Sequence, residues 1–415
     1  MTGASDNAVT IVGGGMAGGL LAALLASDGV RVRVLDGGPP PRAPEEDHAD
    51  LRVSALTLAS QAMLQAVGAW ALMPEARLCA YHSMSVWDGD GTGEVSFDAG
   101  QAGAPALGWL VENRSVVAAL YQRCLALGVD WQGGQRLTAL TRQPDGWQLT
   151  LESGRSEQVA CLVGADGAGS FVRHHAGIPA PVRDTGHVAL VANLVTGQPH
   201  RHCARQWFLT SGPLAVLPLF GDGLQSSLVW SAWPEEAEQL LALDEDSFSQ
   251  ALTRATGGQM GVIRVTGERR AFPIANLHAS DYVRPGLALV GDAAHVVHPL
   301  AGQGINLGLL DAGVLAEEVL IARQRGLPLF HDSALARYQR RRRGHNALMQ
   351  RSFLTLKTLF EQQALPVRLV RNTGMHWVNG SAFLKRHLAR AALGLHGDVP
   401  SLARSETVSA GVDPA

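Results

Sequence analysis

Short β-branched runs, glycine turns and longer aliphatic stretches alternate through the first part of the chain, and their order predicts the local fold. Val9-Thr10-Ile11-Val12 has the length and branching of a buried parallel strand. Glycines follow at once, and Leu20 to Ala26 then reads as a helix. A second strand, Val30 to Leu35, ends at Asp36. The run from Ala8 to Ser27 carries no charge, and about 20 apolar residues suffice to span a bilayer. Glycines within it would weaken a spanning helix, so the order predicts a strand–helix–strand unit instead. The start, MTGASDN, lacks the basic segment of a secretory signal.

Farther along, the Pro/acid stretch 37–50 reads as a loop and "LRVSALTLASQAMLQAVGAW" (51–70) as a second amphipathic helix. The alternation in 84–98, broken by Gly and Asp, predicts a hairpin. Residues 103–180 return to helix and strand in the style of the opening unit. From about 182 to 278, runs such as "HVALVANLV", "LAVLPLF" and "SSLVWSAW" predict an antiparallel sheet layer, with one helix near 234–255. Strand Leu287 to Val290, a Pro-Gly loop and a long helix from about Asn306 then resume the first style. The expected fold class is α/β: a discontinuous Rossmann-like domain, with an inserted antiparallel β-sheet substrate domain and C-terminal helices. Its expected boundaries are 1–80, 103–181 and 279–345 for the nucleotide domain, 81–102 for a substrate-domain hairpin, 182–278 for the substrate sheet and 346–415 for the helical end.

Candidate chemistry sharpens this outline. Gly13, Gly15 and Gly18 fit G-x-G-x-x-G between strand and helix: the first allows the turn, the second admits a pyrophosphate and the third lets helix approach strand. Asp36, about 20 residues on, suits a ribose hydroxyl. Asp166 and Asp292 each follow an apolar strand, where a carboxylate can accept bonds from a sugar; a strand-end cap is the other reading of Asp166. The N–H groups of Gly302, Gln303 and Gly304, ahead of a helix, suit an electron-rich ring or an oxyanion. The 415 residues allow two or three substructures, and a net charge of −3 argues against a general nucleic-acid binder. Four dispersed cysteines, without a C-x-x-C pair, indicate neither a zinc site nor a dithiol centre, and suggest buried thiols in a reducing cytoplasm. No metal is expected.

Four ordered motifs carry a resemblance: Gly13 to Gly18, R-x-S-A at Arg52 to Ala55, G-A-D-G-x-x-S-x-x-R at Gly164 to Arg173, and G-D-A-A-H-x-x-x-P-x-x-G-Q-G-x-N at Gly291 to Asn306. Together they resemble the class A flavin monooxygenases typified by para-hydroxybenzoate hydroxylase, and within them the aromatic hydroxylases of ubiquinone biosynthesis. "LRVSAL", "HVALVA" and "SSLVWSAWPEEA" are most similar to the branch hydroxylating 2-polyprenylphenol at C5, whereas "VRLVRNTG" and "FLKR" also resemble the C6 branch. The resemblance implies FAD, with Gly13, Gly15 and Gly18 at its pyrophosphate and Asp36 at the adenosine ribose. It further implies Arg52 and Asn113 along the FAD chain, Asp292 at the ribityl hydroxyls, and Pro299, Gly302, Gln303, Gly304, Ile305 and Asn306 beside the flavin ring. It implies that NAD(P)H reduces FAD, O2 adds at flavin C4a and the hydroperoxide transfers OH to an activated phenol. Asp36 stands where glutamate is commoner, and Asn113 where the superfamily often has arginine or glutamine.

Other residues have two readings. His295 and His298 are weak general-base candidates, with a packing histidine beside the FAD loop as the plainer account. Trp207, Leu217, Pro218 and Trp230 are candidates for an apolar substrate pocket, with ordinary core as the commoner account of such residues. Arg340 to Arg343 and "FLKRHLARAALGL" (383–395) are basic helical segments that suit anionic lipid or partner proteins, or simply a solvated face. The expectation is a cytoplasmic enzyme, or one peripheral to the inner membrane, that hydroxylates a polyprenylated phenol or quinol among other ubiquinone-biosynthesis proteins. A hydroxylase of another ring position, a hydroxylase of a small soluble phenol, and a non-catalytic FAD-bearing subunit are the alternatives.

Overall fold

A computed structural model of the chain describes residues 8–44, 49–89, 91–297, 303–362, 364–395 and 397–404. The opening strand–helix–strand unit forms as its sequence requires. Ala8–Val12 lies at the centre of a six-stranded sheet, in parallel register with Cys161–Gly164 on one side and Arg31–Leu35 on the other. Leu287–Leu289 and Val283–Arg284 extend it on one flank and Asp130–Gln132 on the other. Val9 and Ile11 are fully buried, as expected of a parallel strand covered on both faces. Helix Met16–Ser27 packs on Gln303–Gln324 and on Asn113–Ala126.

The second layer is an eight-stranded sheet, ordered His295–Val296, Ile263–His278, Val182–Thr196, Gln225–Ala232, Gly212–Pro218, Cys203–Leu209, Ser83–Asp88 and Glu94–Asp98. Neighbours are antiparallel except Cys203–Leu209 and Ser83–Asp88, which run parallel. The hairpin expected at 84–98 therefore joins the same sheet as the strands of 182–278. One face of this sheet carries Leu190, Ala192, Leu194, Trp207, Leu214, Leu228 and Trp230 against Phe248 and Leu252 of an outer helix.

Three local expectations need correction. The helix expected over 51–70 is a strand, Val53–Leu56, followed by helix Leu58–Ala66. Strand Gly108–Glu112 captures the first residues, and the Thr57 side chain, accepting from the Ser60 N–H at 3.3 Å, starts the helix only there. The single helix near 234–255 is two, Pro234–Ala242 and Glu245–Ala255, because Leu243 is extended and Asp244 caps the second by accepting from the Ser247 N–H at 2.7 Å. Within 103–180, a separate antiparallel sheet of Leu137–Gln143, Gly146–Leu151 and Ser156–Val159 stands on the nucleotide layer. At the other end, helix Asp332–Glu361 runs without a break across the boundary expected at 345/346.

The layers are locked by a buried polar cluster centred on Asp311, a residue the sequence patterns did not single out. Asp311, Arg342 and Asn346 are completely buried and His295 nearly so. Asp311 Oδ1 accepts from Arg342 Nε at 2.7 Å and from Asn346 Nδ2 at 3.0 Å. Its Oδ2 accepts from His295 Nε2 at 2.5 Å and from the Gly291 N–H at 3.2 Å. Tyr338 donates its hydroxyl to the Leu289 carbonyl at 2.6 Å. Burial alone would raise the Asp311 carboxyl, but the charges and hydrogen bonds of His295 and Arg342 hold it far below the usual carboxylate range.

Removing one member of such a pair strands the other charge without water, at a cost of about 3–5 kcal/mol. Asp311→Asn is therefore expected to lower unfolding stability by about that much at neutral pH, measured by denaturant titration. Because the folded-state carboxyl is depressed, its contribution is complete above the unfolded value of about 4 and disappears as pH falls below it. The gap between native protein and variant should narrow in acid, and a constant gap down to pH ~3 would contradict the assignment.

Candidate active site

A cleft runs along the carboxyl ends of the parallel strands and continues onto the inner face of the eight-stranded sheet. Its outer lobe, about 810 Å³, is lined by Gly14, Gly15, Met16, Asp36, Pro39 to Arg42, Asp50, Arg52, Asn113 and Arg114, among others. Its inner lobe, about 390 Å³, shares Met16, Arg52 and Asn113. Asp292, Gly304 and Ile305 line one side of it, and Ala189, Val191, Val229, Phe272, Pro273 and Ile274 of the sheet line another. One elongated ligand can therefore pass from the nucleotide layer to the sheet.

The glycines explain how backbone comes so close to this cleft. Gly13 has φ +103°, and a Cβ there would sit 2.3 Å from the Ala165 carbonyl oxygen. A Cβ on Gly18 would fall 2.0 Å from the Gly13 carbonyl oxygen, so that glycine serves helix-on-strand packing. A Cβ on Gly15 meets nothing within 4 Å because it points into the open lobe, beside the amino end of helix Met16–Ser27. Asp36 accepts from the Gly14 N–H at 2.6 Å and from the Gly38 N–H at 2.7 Å, which fixes its carboxylate at the lobe wall.

Arg52 and Asn113 are brought together by backbone: the Asn113 N–H donates to the Arg52 carbonyl at 3.0 Å. Ser54 holds the Asn113 side chain through a 2.7 Å bond to its Oδ1. The Arg52 guanidinium lies 6.0 Å from the centre of the Phe272 ring. Beneath them, buried Glu112 accepts from Arg77 Nε and Nη2, both at 2.7 Å, and from the Asp50 N–H at 2.7 Å. This ties the loop carrying Arg52 to the start of the helix carrying Asn113. Asp292 faces the inner lobe; crowding by surrounding protein raises its carboxyl, with His295 and Arg52 opposing.

Other expected site residues lie elsewhere. Asp166 accepts from Ser170 Oγ at 2.5 Å and from the Val172 N–H at 3.0 Å, which makes it the organiser of its own turn. Arg173 then joins this turn to the loop of Asp292, donating to the Ala293 carbonyl at 2.9 Å. Asn306 is buried and turned away from the lobe: its Oδ1 accepts from the Thr57 N–H at 2.9 Å and its Nδ2 donates to the Ala55 carbonyl at 2.8 Å. His295 is held on Asp311. Trp207 and Trp230 lie in the core on the outer face of the sheet, where alternation places them, and Val229 takes the inner face. Pro218 is buried opposite Ser226, and Leu217 packs in a cluster with Leu107, Leu110 and Ala204. His298, Pro299 and Gly302 lie outside the described residues, and Gln303 is described only as the first residue of its helix. The sheet residues lining the inner lobe were missed because strand alternation shows two faces without saying which one meets the cleft.

Residues 6–352 match the family described as FAD binding domain. Over 397 residues the chain is 38% identical to the ubiquinone hydroxylase UbiL of Rhodospirillum rubrum, covering 95% of this chain and 91% of that protein. It is 35% identical to the 3-demethoxyubiquinol 3-hydroxylase of Escherichia coli, covering 93% of this chain and 98% of that one. The chain belongs to the FAD-dependent aromatic hydroxylases of ubiquinone biosynthesis. Their fold recurs in the crystal structure of PqsL from P. aeruginosa in complex with 2-aminobenzoylacetate, with a TM-score of 0.74 at 26% identity, covering 89% of this chain and 98% of that one.

The family cofactor, FAD, fits what the cleft offers: a helix amino end facing open space at Gly15, a fixed carboxylate at Asp36 and a length that reaches the sheet. The two glycines should also separate fold from binding. Gly18→Ala is expected to lower stability by about 1–3 kcal/mol, the usual cost of forcing an atom into a packed contact. Gly15→Ala should unfold within about 0.5 kcal/mol of the native protein, as surface changes do. Thermal unfolding of the FAD-free proteins checks both, and equal losses would reject the distinction.

Proposed function

We propose that this hydroxylase adds OH to the aromatic ring of a polyprenylated phenol or quinol, at the C5 step of ubiquinone synthesis. The observation that supports it is the inner lobe, where Ala189, Val191, Val229, Phe272, Ile274 and Val297 present an apolar wall beside the carboxyl ends of the nucleotide sheet. In this reading residues 81–102 and 182–278 form the substrate unit, and other ubiquinone-biosynthesis proteins and the inner membrane are its surroundings. The similarity to an E. coli protein named for hydroxylation at another carbon favours a second reading in which only the ring position differs. Arg52 favours a third, a small phenol bearing a carboxylate, because it places one cation at the mouth of the inner lobe.

FAD, when bound, supplies electron transfer from NAD(P)H and the activation of O2. In the proposed roles Gly13, Gly15 and Gly18 admit its pyrophosphate, Asp36 its adenosine ribose, and Arg52, Asn113 and Asp292 its remaining chain. Gly304 and Ile305, at the amino end of helix Gln303–Gln324, lie beside the ring. The sheet residues orient the substrate ring and keep water from the reacting atoms.

Purified protein is expected to carry non-covalent FAD. Asp292→Ala should weaken it roughly tenfold or more, since a hydrogen bond to a charged acceptor contributes about 1.5–3 kcal/mol. His295→Ala should instead lower unfolding stability by stranding Asp311. FAD titration and thermal unfolding of both variants separate the roles; equal loss of FAD affinity in two folded variants rejects them.

For the substrate, kcat/KM and hydroxylated product are compared for a prenylphenol and para-hydroxybenzoate in one detergent. Each buried CH2 adds about 0.8 kcal/mol, so the prenylphenol should lead by orders of magnitude. Parity, or preference for the carboxylate, transfers support to the soluble-phenol reading. Product identification with the prenylphenol decides the ring carbon.

A further inference from the structure

No acidic residue occurs between Glu361 and Asp398, a stretch holding Arg368, Arg371, Lys385, Arg386 and Arg390. Two amphipathic helices occupy most of it, Leu365–Gly380 and Ala382–Ala392. The first is fastened along one side to the hairpin of the substrate sheet. Buried Arg371 grips Asp88 with two 2.8 Å bonds. Asn372 and Asn379 accept from the Gly93 and Ser96 N–H groups, both at 3.1 Å, and Met375 is buried between them in sequence. The second helix is seated through Ala389. The opposite side of the first helix exposes Leu365, Leu369, Val370 and Trp377, the last 69% exposed. Phe383, on the second, is 79% exposed. A helix held this firmly cannot roll its apolar side inward, so these residues face outward by construction.

Half of the basic run Arg340 to Arg343 is spent on internal ion pairs, although Arg340 and Arg343 are exposed. Arg341 is engaged by Glu317 at 2.9 Å, Glu318 at 3.0 Å and Asp398 at 2.8 Å, and Arg342 is consumed by Asp311. No helix among the described residues is long and apolar enough to cross a membrane.

We propose that the outward side of helices Leu365–Gly380 and Ala382–Ala392 lies on the surface of an anionic lipid bilayer, with Trp377 and Phe383 entering the headgroup layer and the exposed Arg386 and Arg390 meeting its charge. The mixture decides the occupant. Large exposed aromatic and aliphatic groups beside cations, without acids, complement a surface that is apolar below and negative above. A second copy of this chain would set cations against cations across a self-complementary contact. This deepens the polyprenylated-substrate reading, since a tail-bearing phenol resides in that phase.

The test is flotation of the full-length FAD-loaded protein with vesicles of phosphatidylcholine containing about 30% phosphatidylglycerol, against phosphatidylcholine alone, with no aromatic substrate present. Native protein should bind the anionic vesicles and release as salt rises. Trp377→Asp/Phe383→Asp and Arg386→Glu/Arg390→Glu should each lose roughly tenfold or more in partitioning, with FAD content and thermal unfolding unchanged. Binding indifferent to lipid charge, or variants that partition like native protein, overturns the proposal. So does a dimer that the aspartate variant dissociates without any effect on vesicles, which identifies the face as a contact between copies. Because no turnover is measured, either result stands apart from the substrate comparison above.

Discussion

Asp311 holds a negative charge where no water reaches it, and three segments of chain are fixed by the need to answer that charge. His295 and the Gly291 N–H come from the turn that also carries Asp292; Arg342 and Asn346 come from helix Asp332–Glu361, and Asp311 belongs to helix Gln303–Gln324. Asp311 itself sits one helix turn and more beyond Gly304, on the helix whose amino end enters the inner lobe. The carboxylate thus sets the relative position of the cleft's charged residue and its helix terminus. A buried cluster whose charges are paired is stable in one arrangement, whereas a shifted turn would leave a charge unpaired.

The opposite wall is fixed in the same manner by a second buried carboxylate. Glu112, held by Arg77, also accepts from the backbone of the loop carrying Arg52, and the Arg77 guanidinium stacks 4.7 Å from the Phe220 ring centre. Arg173 spans from the Asp166 turn to the Ala293 carbonyl. The polar residues Asp36, Asn113 and Arg52 that touch the cleft are each backed by a hydrogen bond of side chain or backbone. This is how a site keeps its geometry when a flexible ligand is absent.

Legibility in the sequence followed the range of the forces involved. The strand–glycine–helix opening shows both ranges: Gly18 must be glycine because of the Gly13 carbonyl nearby in sequence, whereas Gly13 answers to Ala165, far along the chain, and was located only through its place in G-x-G-x-x-G. The inserted sheet was also readable, since alternation and turn residues mark its strands. Val53–Leu56 was misread as helix because its partner strand lies more than fifty residues away in sequence. Asn306 was assigned to the ring side because a motif records which residue recurs and not which way it points; its amide instead joins two backbones. Asp311 and Asn346 gave no warning, since a lone polar residue in a helix looks the same whether solvated or buried, and Arg342 was hidden among four consecutive arginines read as one basic segment. The tryptophans were drawn to the pocket by their size, and alternation on the strand sent them to the other face.

That alternation has a consequence for how such an enzyme changes over generations. On strand Gln225–Ala232, Val229 lines the inner lobe and Trp230 belongs to the core, and on Val182–Thr196 the same division separates Val191 from Leu190. Adjacent codons therefore answer to different selective pressures. Under the proposed function, one set can drift among small and large apolar residues and alter which rings are accepted, while its immediate neighbours preserve the domain. A lineage can acquire a new regiochemistry by walking along every second residue of a strand, without first passing through an unfolded ancestor.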